Sequence, residues 1–433
     1  MQKAENKNSE LTIIALGDFV MSMEKMNAVV GQSGGPTAAI NATLAGVIKG
    51  CLESEKIGTV YGMKNGVEGL EKEDLLELNS YFENKPSLLD LLSLTPAAAL
   101  GSCRRKIKTD EEIENIYKVL EKYNIGYFFY IGGNDSMDTI AKLTDYTERN
   151  KDKGLFDVKF IGIPKTIDND LGCTDHTPGY GSAAKFVAST MQEICRDCAV
   201  YTKKAVTIVE IMGRDAGWLT ASSALAKYLT GAGPDLIYLP EKVFDEESFI
   251  KDVNKKLQNT KKPYVVVAIS EGIKFADGSY VGEKKTGNYD DPFGHKMLAG
   301  AGKVLEALVN EKIGCKCRSV ELNVLQRCAS HISSKCDIDE SRRIGEMGVK
   351  YALKGETGKM MCFRRLKNAD VYRVEIYPED VRSVANLVKS IPENFLSGDG
   401  NGVNDKCIDY MLPLIKGENE VIYEDGLPVH FEF

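Results

Sequence analysis

The sequence predicts an α/β fold, a doubly wound and mostly parallel sheet repeated in two domains. Short apolar runs alternate with stretches of helical periodicity, and several of those runs end in loops rich in glycine and polar residues. Length is the third observation, since 433 residues exceed what one simple core holds.

Taken in order, residues 1–25 read as a tail or upstream extension. The run at 11–21 is apolar, but Asp18 interrupts it and no small-residue cleavage site follows, so no signal peptide is expected. The folded part begins at Met26 with a strand over 28–30. Helices are expected at 38–50 and 110–124, with a strand at 127–131 between the second helix and the next loop. Further strands are expected at 160–163, 206–211, 264–269 and 320–325, and a helix carries the segment 191–200. The best interruptions fall at 174–181 and in the polar stretch 275–294. Neither is a clean linker, so the two domains are expected to exchange segments. The last sixty residues carry no motif.

Composition sets outer bounds. A formal charge of −8 argues against a non-specific nucleic-acid binder, and no apolar stretch nears the ~20 residues that span a membrane. Among eleven cysteines only Cys195 and Cys198 form a C-x-x-C, without a partner pair at zinc spacing. Ordinary reduced thiols, and hence a cytoplasmic location, are the favoured reading.

The chemistry concentrates at strand ends, where open α/β sheets bind ligands. The segment 162–171, G-I-P-K-T-I-D-N-D-L, places Lys165, Thr166, Asp168 and Asp170 within six positions. A cation beside two carboxylates suits phosphoryl transfer, one acid serving as base and the cation facing phosphate. The alternative is a capped turn with solvated acids. Gly31-Gln32-Ser33-Gly34-Gly35-Pro36-Thr37 is a glycine-rich turn entering a helix, able to bring backbone N–H groups to a phosphate. It fits neither the dinucleotide nor the P-loop pattern, and a purely structural turn competes with it. Gly132-Gly133-Asn134-Asp135-Ser136 offers a phosphate or metal–phosphate cradle, against an Asx-type turn. In Met212-Gly213-Arg214 an arginine just past a strand can grip an anion bidentately, against a surface arginine. Glu271, Arg318 and Arg327, taken singly, read as structural ion-pair residues. His176 reads as a core or surface histidine.

As an ordered set, G-Q-S-G-G-P-T-A-A-I-N-A, G-G-N-D-S, P-K-T-I-D-N-D, E-I-M-G-R, S-E-G and L-Q-R resemble the phosphofructokinase family from about residue 27 to 330. T-D-H-T-P-G-Y-G-S-A-A-K and I-D-Y-M-L-P-L-I-K-G-E are similar to its pyrophosphate-dependent branch, extending the resemblance over nearly the whole chain past the tail. The resemblance implies two Rossmann-like three-layer domains with the active site in the cleft between them. A phosphoryl-donor domain would comprise 26–178 with about 327–365, and a sugar-phosphate domain 179–326 with about 366–433.

The resemblance also implies roles. Asp168 corresponds to the general base acting on the 1-hydroxyl of fructose 6-phosphate, flanked by Thr166, which positions substrate, and Asp170, which supports the base or the Mg²⁺. Met212, Gly213, Arg214 and Glu271 fall on sugar-phosphate positions, and Arg327 on a 6-phosphate ligand. Arg318 matches an arginine that reaches a neighbouring subunit's site, implying a homo-oligomer, dimer or tetramer. Gly31, Gly34, Gly35 and Arg104 correspond to donor contacts.

Asp135 and Lys165 stand where ATP users of the family commonly carry glycine. A carboxylate there would repel the α-phosphate of a nucleotide, while the lysine suits compact pyrophosphate. Asn134 replaces an aspartate that often helps hold magnesium, so the metal leans on Asp135, Asp168 or water. Val324 and Ala205 replace a histidine and an arginine of bacterial ATP enzymes, with Lys204 placed to compensate for the latter. The expectation is pyrophosphate-dependent phosphorylation of fructose 6-phosphate. An ATP-dependent kinase and a catalytically silent regulatory subunit are the competing readings.

Overall fold

The computed structural model describes residues 25–258, 262–283, 300–367, 371–384 and 387–433. Apart from Lys25, the extension expected at 1–25 lies outside the described residues, as does the polar stretch 275–294 from residue 284 onward.

Among the described residues, eleven strands form the two main sheets: β1 (Met26–Gln32), β2 (Ile57–Met63), β3 (Leu75–Glu77), β4 (Ile125–Gly132), β5 (Lys159–Pro164), β6 (Ala205–Ile211), β7 (Leu236–Tyr238), β8 (Tyr264–Ser270), β9 (Lys316–Glu321), β10 (Lys359–Arg365) and β11 (Val374–Asp380). The larger sheet has the order β11-β10-β5-β4-β1-β2-β3, and the smaller one β7-β8-β6-β9. The smaller sheet is parallel throughout, and the larger is parallel except for its two edges, β3 and β11.

The strand interiors explain this arrangement. I-G-Y-F-F-Y-I-G of β4 is buried at nearly every position, because helices cover both faces of a parallel sheet. On one face of the larger sheet lie the helices Ile40–Leu52 and Lys335–Leu353, and on the other Asp110–Lys122 and Asn134–Arg149. The helix Asp110–Lys122 starts where Thr109 and Glu112 form a reciprocal capping box. The smaller sheet packs one face on Tyr180–Cys198 and the other on Glu246–Leu257 and Ala301–Ile313. Each sheet is thus the middle of three layers.

The chain does not stay in one sheet. β10 and β11 return to the larger sheet, so position 365 falls between two antiparallel partners. Cys407, Met411 and Leu414 then pack with the smaller sheet, and Phe431 ends in the core of the larger one.

One expected strand is corrected. Residues 320–325 were to form a strand, but β9 runs Lys316–Glu321 and Leu325 opens a short helix, Leu325–Cys328. β9 is an edge strand, exposed at Lys316, Arg318 and Glu321, so it lacks a continuous apolar run.

Candidate active site

β1 and β4 are neighbours in the larger sheet, yet β1 leads to β2 on one side and β4 to β5 on the other. Their carboxyl ends therefore diverge at a topological switch point. Loops following β1, β4 and β5 meet those following β6 and β8 around a cavity of about 450 Å³. Gly34, Gly35, Arg104, Asn134, Asp135, Lys165, Thr166, Asp168, Asp170, Met212, Arg214, Glu271 and Arg327 all line it.

The glycine turn after β1 works by shape. Gly34 has φ 76°, and its own N–H is already donated to the Cys103 carbonyl (3.2 Å). A side chain on Gly34 would begin 3.3 Å from Lys165 Nζ, and one on Gly35 would begin 3.1 Å from the Arg327 guanidinium. Glycine here lets two cations approach the turn. Lys165 Nζ donates to the Gly35 carbonyl, and the Lys165 N–H to the Gly132 carbonyl (2.8 Å).

The segment after β4 is the start of a sixteen-residue helix, with Gly133 as its N-cap and Asn134 and Asp135 as its first two residues. A carboxylate in the first helical turn is favoured by the helix dipole. Asp135 also pairs with Lys106 (3.0 Å), a residue that no motif singled out. Asn134 Nδ2 donates to the Leu387 carbonyl (3.4 Å), while its Oδ1 is buried without a hydrogen-bond partner.

In the loop after β5, Thr166 Oγ1 donates to Asp168 Oδ2 (3.3 Å) and accepts from the Asp168 N–H (3.1 Å). Between the acids Asn169 adopts a left-handed φ of 55°. Burial raises the pKa of Asp168, opposed by Thr166 and Lys165. Burial and the charge of Asp168 likewise raise that of Asp170. Two neighbouring carboxylates taken out of water do not both ionise readily, which leaves the pair disposed to accept a proton. Burial drops Lys165 to about 8, against the pull of Asp168.

The smaller sheet contributes the opposite wall. A Cβ on Gly272 would fall 1.9 Å from the Arg214 carbonyl, so only glycine lets the β8 turn pack against the β6 loop. Gly213, with φ 130°, donates its N–H to Glu271 Oε1 (3.3 Å). Burial pushes Glu271 up to about 7. Arg214 lines the cavity, and its Nε is buried without a hydrogen-bond partner. The Met212 N–H bonds to Oε1 of buried Gln326 (3.3 Å), which ties the Arg327 turn to the β6 loop. Burial, and then the neighbouring Arg104, lower the pKa of Arg327. Two guanidiniums drawn together favour an anion between them.

Arg318 lies apart from this cavity. It lines a larger one, about 780 Å³, at the exposed β9 edge with Lys203, Lys204 and Lys316. His176 is a core residue, held by Asp175 (3.0 Å) and Glu340 (2.8 Å) and stacked on Phe363. Burial pulls its pKa down, but the two carboxylates outweigh that and leave it at about 9. Cys195 and Cys198 are buried free thiols whose pKa values burial raises. Val388 and Lys389, which no motif marked, also reach the site: Val388 lines the cavity and the Lys389 N–H bonds to the Asp170 carbonyl (2.7 Å).

Comparison with known proteins follows the same outline. The family model described as Phosphofructokinase matches residues 27–345. A pyrophosphate–fructose 6-phosphate 1-phosphotransferase of Halomonas elongata is 37% identical over 415 residues, covering 94% of this chain and 96% of that protein. One from Xanthomonas campestris pv. campestris is 39% identical over 413 residues, covering 94% and 96%. The crystal structure of a pyrophosphate-dependent phosphofructokinase from Nitrosospira multiformis superposes with a TM-score of 0.83 at 36% identity, covering 94% of this chain and 96% of that one.

Proposed function

The chain belongs to the phosphofructokinase family, and on that premise we propose that it transfers a phosphoryl group reversibly from pyrophosphate to the 1-hydroxyl of fructose 6-phosphate. The products are fructose 1,6-bisphosphate and phosphate. The observation that carries the donor assignment is Lys165, buried and bonded to the Gly35 carbonyl within the cavity that holds Asp168.

Asp168 takes the proton from the sugar 1-hydroxyl as the oxygen attacks phosphorus. The new O–P bond forms as the bridging P–O bond of pyrophosphate breaks, and phosphate leaves with the electron pair. Charge on the transferring group spreads over its outer oxygens, so positioning and electrostatics supply most of the catalysis. Lys165 and Arg104 face the donor, Gly34 and Gly35 leave room for it, and Asp135 closes the side where a nucleotide would extend. Arg214 grips the phosphoryl group from the sugar side, with Met212, Gly213 and Glu271 holding the sugar and Arg327 its 6-phosphate. Thr166 steadies Asp168 through their hydrogen bond. Asp170, whose carboxyl burial keeps protonated more readily, supports the base.

The oxygen donors around the cavity suit Mg²⁺, a hard cation that binds through one or two protein oxygens and substrate phosphates. The unpartnered Asn134 Oδ1 and the Asp135 carboxylate are the residues that would hold it. When bound, Mg²⁺ would neutralise charge on pyrophosphate. A cytoplasmic setting accords with eleven free thiols.

We assign the loops of β1, β4 and β5 to the donor and those of β6 and β8 to the sugar phosphate. We also propose a homo-oligomer in which Arg318 completes the site of an adjacent subunit; its place on an exposed basic edge, away from its own cavity, supports this. Sedimentation equilibrium should give a dimer or tetramer. A monomer at micromolar concentration would remove that role from Arg318.

Phosphorus NMR tests the reaction. Pyrophosphate, fructose 6-phosphate and Mg²⁺ should yield bisphosphate and phosphate, and the reverse mixture should regenerate pyrophosphate. Asp168→Asn should lose about a thousandfold or more in kcat yet still bind sugar phosphate. Near-native turnover in that variant would exclude Asp168 as base.

A further inference from the structure

The loop carrying the two acids is held from the far end of the chain. Lys389 Nζ donates to the carbonyls of Asp175 (2.9 Å) and Thr174 (3.1 Å) and to Asn169 Oδ1 (3.3 Å). Its backbone N–H bonds to the Asp170 carbonyl (2.7 Å), and its carbonyl accepts from Trp218 Nε1 (2.8 Å). One residue thus ties both ends of the segment 169–175 to the helix that follows the β6 loop.

Asn169 shows why that matters. It is fully buried and left-handed, a conformation that asparagine adopts more readily than other residues with a side chain and that its partners select here. Its side chain is fixed at three points: Lys389 Nζ, the Tyr410 hydroxyl (2.9 Å) and the Thr177 N–H (3.1 Å). The torsions of Asn169 set how Asp168 and Asp170 are directed relative to one another. The acceptors that Lys389 Nζ meets here are uncharged oxygens, so it shapes this loop by holding carbonyls. The same short segment continues into the donor side, where Leu387 accepts from Asn134 Nδ2, Val388 bridges to Leu171 and Val388 lines the cavity.

We infer that Lys389 is a positioning residue for the acid loop: it holds Asn169 left-handed and so sets the directions of Asp168 and Asp170. It touches no reacting atom. For catalysis the inference rests on the proposed reaction, while the loop's order can be read without any turnover.

The test uses the full-length protein with Lys389→Met and Lys389→Gln, the latter keeping an N–H donor. Hydrogen exchange at 166–177 should quicken about tenfold in Lys389→Met while exchange in β4 and β8 is unchanged. In the pyrophosphate assay its kcat should fall about a hundredfold, with fructose 6-phosphate affinity by calorimetry within about threefold of native. Lys389→Gln should fall between the two, and it is read alone if the methionine variant does not fold. Unchanged loop exchange would overturn the inference whether or not the native protein turns over. So would a kcat within about twofold of native, or an affinity loss that matches the loss in kcat. A native protein without turnover, but with a loop that loosens in the variants, would instead overturn the proposed reaction.

Discussion

Lys165 bonds to the glycine turn through the Gly35 carbonyl, and burial leaves its pKa at about 8, below the ordinary 10.5. A depressed amine binds its proton less tightly, so the charge needed to hold a polyanion is full below pH 8 and lost as pH rises through that value. The KM for pyrophosphate should therefore climb above about pH 8, and Lys165→Arg should carry that limb to higher pH because a guanidinium stays charged. Steady-state kinetics between pH 6 and 10 would check this, and a KM flat across the range in the native protein would contradict it. For stability the sign is opposite: with the pKa depressed from 10.5 to about 8, the folded state gains as pH rises from 8 to 10.5 and loses that gain as pH falls through 8, so the free protein carries the cost of a buried ammonium at neutral pH. Asp135 and Lys165 were legible in the sequence as departures from glycine. Lys389 was not, because its bond to Asn169 spans 220 positions and nothing local announces it.

At the scale of elements, two helices on the larger sheet cross at backbone contact. A Cβ on Gly345 would lie 2.3 Å from the Thr43 carbonyl, and one on Gly46 would lie 2.0 Å from the Arg342 carbonyl. Gly345→Ala should separate the helices Ile40–Leu52 and Lys335–Leu353 and cost about 1–3 kcal/mol. Urea unfolding would measure it, with an unchanged midpoint as the contrary result. Some loss should reach the site, since Asp337 on the second helix accepts the N–H groups of Gly179 (2.9 Å) and Ser182 (3.0 Å) and so caps Tyr180–Cys198. The strands expected at 28–30, 127–131, 160–163, 206–211 and 264–269 were legible as apolar runs, and the structure extends them by no more than two residues at either end. β9 misled because an edge strand alternates, and the apolar Val324 and Leu325 beyond it are exposed. β10, K-M-M-C-F-R-R, carries a buried apolar run but lies far from any motif.

At the scale of the molecule, an acidic chain of net charge −8 gathers Arg104, Lys106, Lys165, Arg214 and Arg327 around one cavity. Their field is local, which favours small anions over an extended polyanion such as nucleic acid. The cavity lies between two sheets that the chain joins several times: strands at 359–380 return to the larger sheet, 407–414 packs on the smaller, and Phe431 goes back. The family resemblance located the motif residues that line this cavity, most of which lie in the loops just past β1, β4, β5, β6 and β8. The C-terminal stitching was not legible, since it depends on which distant segments pack together. The central claim is the donor. The most direct test is kcat/KM of the purified protein for pyrophosphate and for ATP, each with saturating fructose 6-phosphate and Mg²⁺. Pyrophosphate should be preferred by about a hundredfold or more, as expected where a carboxylate meets one donor and not the other. Equal or faster turnover with ATP would contradict the account.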